Sequence, residues 1–253
     1  MRWSPWQPGA QPAEPAPDLL LLDTYDRAEW QRITALAHRR LVAFEDALPD
    51  PTAADVVIAP ENGSEPSGQV LAGLSFACLR RPFWDIGPRQ VQDTPQRVLI
   101  TTGGGDLGGL GRRIAERLRE SFPSTELELV WGPGFGGEPP AAVTVLDRPA
   151  SLLEPLLRAD AVVCAGGQTM LEAAATGAPA LVLEGAPNQR AQIASLAARD
   201  AIMPVGEEEV PAALERLLGS ASLRRQLSGR AQEAVDGRGA LRIATELEAL
   251  ARG

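Results

Sequence analysis

From Gln96 onward, short apolar runs alternate with stretches whose apolar residues recur every three or four positions. The runs predict strands at 98–101, 127–131, 143–146, 161–165, 180–183 and 202–205. The intervening stretches predict helices at 109–120, 151–157, 169–176, 188–198 and 209–218, then at 221–235 and 239–251. Near-continuous Val/Leu/Ala strands separated by helices of this length require a parallel sheet covered on both faces. The expected class is α/β, with a complete Rossmann-like domain over residues 96–253.

Two strand ends in this domain carry glycine turns. In ADAVVCAGGQTMLEAAATGAPALVLEGAPNQ (159–189), a strand ends at Ala165, Gly166 and Gly167 turn, and a helix opens at Gln168-Thr169. A second strand, 180–183, leads to Asn188-Gln189. In RVLITTGGGD (97–106), another strand runs into Gly103, Gly104 and Gly105. Glycines at such points let backbone N–H groups approach a ligand, and the helix N-terminus adds partial positive charge suited to a diphosphate. Glu172 lies within the first turn or so of its helix, where a carboxylate can accept ribose hydroxyls by analogy with dinucleotide folds. The plainer reading is a tight strand–helix turn with Glu172 as a helix acid. Both turns fall at the carboxyl edge of one parallel sheet, where open α/β sheets bind ligands.

Upstream, Met1 to Pro17 is rich in proline and holds Trp3 and Trp6, and reads as an arm. Residues 18–95 read as a short α/β domain followed by an interdomain segment. Strands are expected at Leu19–Leu22, Leu41–Phe44 and Asp55–Ile58, a helix at Arg27–His38, a loop at Pro60–Gln69, and a crossing segment at Leu74–Trp84. Basic residues are all arginine, and the net charge of −9 disfavours nucleic acid or an anionic membrane as partner. Cys78 and Cys164 lie in apolar runs, which predicts buried thiols. His38 is the one histidine, so no metal-ligand pattern arises, and no cofactor or metal is expected. No apolar run is long enough to span a bilayer, which predicts a cytoplasmic protein.

The segments LLLLDTYD (19–26), AFEDALPDPTAADVVI (43–58), AGLSFACLRRPF (72–83), TTGGGDLGGL (101–110) and AGGQTMLEAAATGAPALVLEGAPNQ (165–189) occur in an order that resembles one family. It is the UDP-sugar hydrolase of pseudaminic-acid biosynthesis, related to the peptidoglycan N-acetylglucosaminyltransferase of the GT-B glycosyltransferase superfamily. The resemblance implies a GT-B-like chain with a shortened N-terminal α/β domain. It implies UDP gripped by the glycine turns, by Gln168 and Thr169 at the helix start, and by Glu172. Asn188 and Gln189 would line the sugar-diphosphate site. Asp23 and Tyr25 match the family's Asp-x-Tyr, Asp46 the second of its paired acids, and Arg80 its interdomain arginine. The family opens with a Gly-x-Gly-His-x-x-Arg turn whose histidine serves the hydrolytic water. This chain is expected to start downstream of it, Glu45 replaces the first paired acid, and the segment 59–62 departs from the family pattern.

Two functions compete. One is an enzyme acting on a UDP-linked amino- or deoxysugar, by hydrolysis or transfer, in surface polysaccharide or sialic-acid-like sugar biosynthesis. Its base would be Asp23 or Asp46, each of which also reads as a structural acid. The other is a catalytically degenerate nucleotide-sugar-binding subunit that needs a partner chain. A homodimer or a complementing chain would cover an N-terminal sheet edge left open by the missing turn. A purely structural α/β protein explains the fold but not the paired glycine turns.

Overall fold

The computed structural model describes residues 16–24, 26–36, 38–44, 54–59, 68–105, 107–141 and 143–252. They fall into two compact units: one runs to Cys78 and includes the segment from Gly239 on, the other is Leu79–Arg238. In chain order the first unit holds β1 (Leu19–Leu22), α1 (Arg27–Thr34), β2 (Arg40–Phe44), β3 (Val56–Ala59) and β4 (Gln69–Ala72). The second begins with β5 (Arg97–Thr101), α2 (Leu110–Ser121), β6 (Glu126–Trp131), β7 (Thr144–Asp147), α3 (Leu153–Arg158) and β8 (Ala161–Ala165). It continues with α4 (Gln168–Ala175), β9 (Ala180–Leu183), α5 (Arg190–Ala197), β10 (Met203–Pro204), α6 (Val210–Leu218) and α7 (Ala221–Ala234). The last helix, α8 (Gly239–Arg252), belongs to the first unit.

In the first unit the strands form a parallel sheet in the order β1-β2-β3-β4. Side chains alternate between its faces, as the pleat demands. Leu41, Ala43, Val57 and Ala59 pack on one side with Trp30 and Ile33 of α1. Val42, Val56, Ile58 and Leu71 pack on the other with Ile243 and Leu247 of α8. This second layer is why α8 leaves the 96–253 domain expected from sequence: its apolar stripe is used by the first sheet. The chain divides between Cys78 and Leu79, inside the expected crossing segment and not at residue 95. Within that segment the backbone makes two 3-10 turns, Leu74–Phe76 and Arg81–Phe83.

Asp26 sets the start of α1, accepting the N–H groups of Ala28 at 2.8 Å and Glu29 at 3.1 Å. The helix ends at Thr34, short of the expected His38. β4 falls on a stretch for which no strand was expected. Leu71 is its one buried residue, so it lacks the apolar run that marked the others. The expectations for the arm at 1–15, for Tyr25, Glu45 and Asp46, and for the loop at 60–67 lie outside the described residues.

The second unit carries a parallel sheet in the order β10-β9-β8-β5-β6-β7. Strand bounds agree with the sequence reading to within a residue or so, apart from β10, where two residues pair in place of four. Val98, Ile100, Leu127, Leu129, Ala161, Val163 and Leu181 point to one face, where Ile114 and Leu118 of α2, Leu214 and Leu217 of α6, and Leu227 of α7 cover them. Two arginines, Arg224 buried and Arg89 half-buried, tie the segment between Asp85 and Gln96 to this unit. Arg224 has no exposed surface and donates to the carbonyls of Leu217, Leu218, Gln92 and Asp93. Arg89 donates to the carbonyls of Leu156, Thr176 and Ala159. Cys164 is fully buried, and burial pushes its thiol up to about 12. Cys78 departs from the sequence reading: it is exposed, because Ala77 and Leu79 on either side take the inward positions.

Candidate functional site

Strand order fixes where a ligand can enter. β5 is the first strand of its sheet and sits in the middle, with β6 and β7 on one side and β8, β9 and β10 on the other. The progression of strand order therefore reverses between β5 and β8, two parallel neighbours whose ends pair Thr101 with Cys164. A crevice forms outside the carboxyl ends of two strands at such a switch point. The two expected glycine turns flank this one, Gly103–Gly105 after β5 and Gly166–Gly167 after β8.

The turns differ in what surrounds them. Gly103 has φ +91°, and a side chain at Gly103 or Gly105 would meet nothing within 4 Å, so this backbone faces open space. It is braced from behind by the loop after β6: the N–H of Gly134 donates to Gly104 O at 3.0 Å, and a Cβ at Gly132 would lie 2.7 Å from that oxygen. Gly166 is crowded instead, since a Cβ there would lie 2.9 Å from both Gln189 Cβ and Ile193 Cδ1. Its glycine is a packing requirement. Gly167, with φ +95°, is the N-cap of α4 and supplies no side-chain cap. Gly167 has no side chain to cap α4, and the helix dipole points at the crevice.

Glu172 lies one turn into α4 and is 3 % exposed. Met170, Leu171 and Ala173–Ala175 around it are buried as well, so its carboxylate sits in apolar surroundings. Arg80 answers it, with Nη2 donating to Oε1 at 3.0 Å and Nε at 3.3 Å. Burial raises the Glu172 carboxyl above its ordinary value, opposed by the bond and charge of Arg80. Arg80 is held in turn by Ala150 O at 3.1 Å and by the Phe83 ring, whose centroid is 5.8 Å from the guanidinium carbon. The structure thus joins two residues that the sequence proposed separately, in one unit.

Gln189 and Asn188 end the 3-10 turn Pro187–Gln189, which precedes α5. Gln189 Oε1 accepts the N–H of Gly185 at 2.8 Å, and its Nε2 lies 3.6 Å from where a Gly167 Cβ would be. It therefore shapes the loop beside the α4 N-terminus. Asn188 is exposed at the same edge, and Gln168 and Thr169 form the first turn of α4. Asp23 lies in the first unit, exposed, just past the carboxyl end of β1. His38 Nδ1 donates to Leu36 O at 2.6 Å, a local backbone tie.

Features absent from the sequence reading also border the crevice. The hydroxyls of Thr101 and Thr102 are buried without a hydrogen-bond partner among the described residues. Arg112 stacks on Trp131 at 5.4 Å, and Trp131 meets Phe135 at 4.8 Å, ordering the loop after β6. The signal for that loop was present as a third strand-end glycine run, WGPGFGG (131–137). Arg113 and Glu207 pair at 2.8 and 3.0 Å, linking α2 to the turn after β10. A cavity of about 470 Å³ lies at the opposite, amino-terminal edge, lined by Arg97, Arg119, Glu126, Glu128 and Arg158. Arg97 pairs with Glu126 and Arg158 with Glu128, and Arg119 donates to the carbonyls of Phe122, Pro123 and Thr125, so most of its polar groups are engaged within the protein. Among the described residues no cluster of His, Cys, Asp or Glu can hold a metal ion, and no helix is long and apolar enough to cross a membrane.

No protein-family model and no curated protein matches the chain. Solved structures do. TarM matches with a TM-score of 0.62 at 10 % identity, over 93 % of this chain and 55 % of that one. The glycosyltransferase SnogD from Streptomyces nogalater matches with a TM-score of 0.53 at 21 % identity, over 83 % of this chain and 74 % of its own. The spinosyn forosaminyltransferase SpnP matches with a TM-score of 0.50 at 22 % identity, over 79 % and 56 %. This chain thus spans little more than half the length of TarM and SpnP. The similarity does not extend to a hydrolase of pseudaminic-acid biosynthesis in particular. With its parallel sheets and a Rossmann-like second unit, the chain has the GT-B-like fold of these glycosyltransferases.

Proposed function

We propose that the second unit binds a nucleoside diphosphate-sugar, with the diphosphate on the N-terminus of α4 and the nucleoside beside Glu172. The observation that carries this reading is the α4 start itself: a helix N-terminus with glycine at its N-cap, at the sheet's switch point, with a buried carboxylate one turn inside it. Gly103–Gly105 supply open backbone on the facing side. Departure of the diphosphate from an anomeric carbon builds negative charge that these donors and the helix dipole would stabilise. The reaction is hydrolysis or glycosyl transfer, with Asp23 or Asp46 as base. The resemblance of the sequence favours a UDP-sugar. A structural neighbour, the spinosyn rhamnosyltransferase SpnG, is known in complex with thymidine diphosphate, which makes a thymidine nucleotide the comparison to run.

The test is a thermal-shift titration with UDP, thymidine diphosphate, ADP and AMP. A pyrimidine nucleoside diphosphate at a hundredfold excess over Kd stabilises the native state by about 2.7 kcal/mol. Shifts no larger than those from AMP refute the site. Turnover of the matching nucleotide-sugar that falls about 10²–10⁴-fold in Asp23→Asn or Asp46→Asn, with binding unchanged, assigns the base. Binding without turnover marks a binding subunit.

A further inference from the structure

The two bonds from Arg80 end on the same atom. Nε and Nη2 both donate to Oε1 of Glu172, at 3.3 and 3.0 Å, and Oε2 takes no bond among the described residues. A carboxylate oxygen offers about two acceptor sites. Oε1 is therefore saturated, and Oε2 keeps its capacity for an incoming donor.

We propose that Arg80 is a positioning residue that fixes Glu172 with Oε1 filled and Oε2 alone presented to a ligand hydroxyl. The proposal rests on the nucleotide site above and deepens it. The Arg80 side chain is 52 % exposed, but its fork is steadied by Ala150 O on Nη1 and by the Phe83 ring beside the guanidinium. Phe83 is itself fully buried, and Trp84 Nε1 closes the turn by donating to Leu79 O at 2.7 Å. A ribose diol recognised by both oxygens of a carboxylate gains two charge-assisted bonds, one per hydroxyl. Two vicinal hydroxyls can share Oε2, but converging on one atom they align less well than on two, so one takes the best geometry and the second adds little. The nucleoside pocket therefore accepts ribose and 2′-deoxyribose nucleotides with similar affinity.

Arg80 also sets the charge of Glu172. Burial favours the neutral acid, and among the described residues Arg80 is the one charge that opposes it. The other charged groups on elements packed against α4 are engaged elsewhere or do not act on it. Arg158 of α3 pairs with Glu128, and Glu154 makes no bond to Glu172. On α7, Arg224 serves carbonyls, Arg225 pairs with Asp93, and Arg230 pairs with Glu233. Arg89 donates to Thr176 O at the far end of α4. Without Arg80 the acid would be protonated over a wider pH range and would donate where it should accept.

The experiment compares wild type, Arg80→Met and Arg80→Lys in two arms. In the first, calorimetry measures UDP, dUDP and inorganic diphosphate from pH 6 to 8.5. Wild type binds UDP and dUDP within about fivefold of each other at all pH values. Arg80→Met loses about tenfold in nucleotide affinity at pH 6, recovers as pH rises, and binds diphosphate as wild type does. Arg80→Lys restores the flat profile. In the second arm, carboxyl-carbon NMR follows the titration of Glu172 in the ligand-free proteins, assigned with Glu172→Gln. The midpoint moves up in Arg80→Met and returns in Arg80→Lys. A UDP preference above fivefold overturns the single-oxygen presentation. Equal losses of UDP and diphosphate in Arg80→Met, or an unmoved Glu172 midpoint, overturn the positioning role. If no nucleotide binds wild type, the nucleotide reading fails while the NMR arm still decides whether Arg80 controls Glu172.

Discussion

Replacing Arg224 with methionine tests how far a buried cation can act as structural cement. Arg224 donates to Leu217 O at 2.8 Å, Gln92 O at 2.8 Å and Asp93 O at 3.1 Å, and to Leu218 O as well. Methionine keeps much of the apolar stem but leaves these carbonyls in a space with no exposed side-chain surface. Hydrogen bonds to a charged group contribute about 1.5–3 kcal/mol each, but they share one donor fork and its desolvation cost, so they do not sum. Leaving carbonyls of this kind without their donor costs about 3 kcal/mol, the upper end for an unsatisfied acceptor. For a chain of this size a loss of that order lowers Tm by about 10 °C. Its neighbour supplies the control. Arg225 pairs with Asp93 across side chains 55 % and 81 % exposed, and a pair that open to water is worth less than about 1 kcal/mol. Calorimetry of Arg224→Met, Arg224→Lys and Arg225→Met should rank them in that order, the first most destabilised. A drop in Arg224→Met no larger than in Arg225→Met would refute the reasoning.

Two further outcomes follow from the titratable groups. Asp55 accepts the N–H of Leu41 at 2.7 Å and a bond from Arg40 at 3.2 Å, and the Leu41 bond leads in holding its carboxyl below the ordinary value. A depressed carboxylate stabilises the fold above the unfolded value, about 3.9, and that contribution fades as pH falls through the folded one. Urea unfolding of Asp55→Ala should therefore show a loss of about 1 kcal/mol at neutral pH that shrinks in acid, and a pH-independent loss counts against it. For the thiols, iodoacetamide at pH 8.5 should label exposed Cys78 in the native protein and reach Cys164 after unfolding, since Cys164 is buried with its thiol pushed up to about 12. Native labelling of both at similar rates would show that the strand around Cys164 opens readily.

Most of the second sheet was legible because its strands are short, apolar on both faces and separated by helices with clear stripes. Val98–Ile100 and Ala161–Ala165 could hardly be anything else. β4 was missed for the opposite reason: one buried residue out of four leaves no pattern to read. The stripe on α8 showed that Ile243 and Leu247 are buried but not against which sheet, because amphipathicity names a face and not its partner. The same limit applied at the site. Gly103, Gly166 and Glu172 were found from local spacing, whereas the saturation of Oε1 depends on a residue 92 positions away. Gly166 carries a further lesson: its missing side chain makes room for Gln189 and Ile193, a demand no turn signature displays.

The return of α8 makes the first unit discontinuous along the chain, and that has consequences for the order of its birth. Leu79–Arg238 is a single uninterrupted stretch, able to assemble once its own residues have been made. The strands of the first unit are synthesised earlier yet must wait, because the sheet face bearing Val42, Val56, Ile58 and Leu71 is covered by Ile243 and Leu247 of α8, which follows the second unit in sequence. The usual N-terminal-first sequence of domain folding is thereby inverted. Until the last helix is released, an apolar sheet face stands open to other chains, so a translation stop before Gly239 yields an aggregation-prone product even though the second unit is complete.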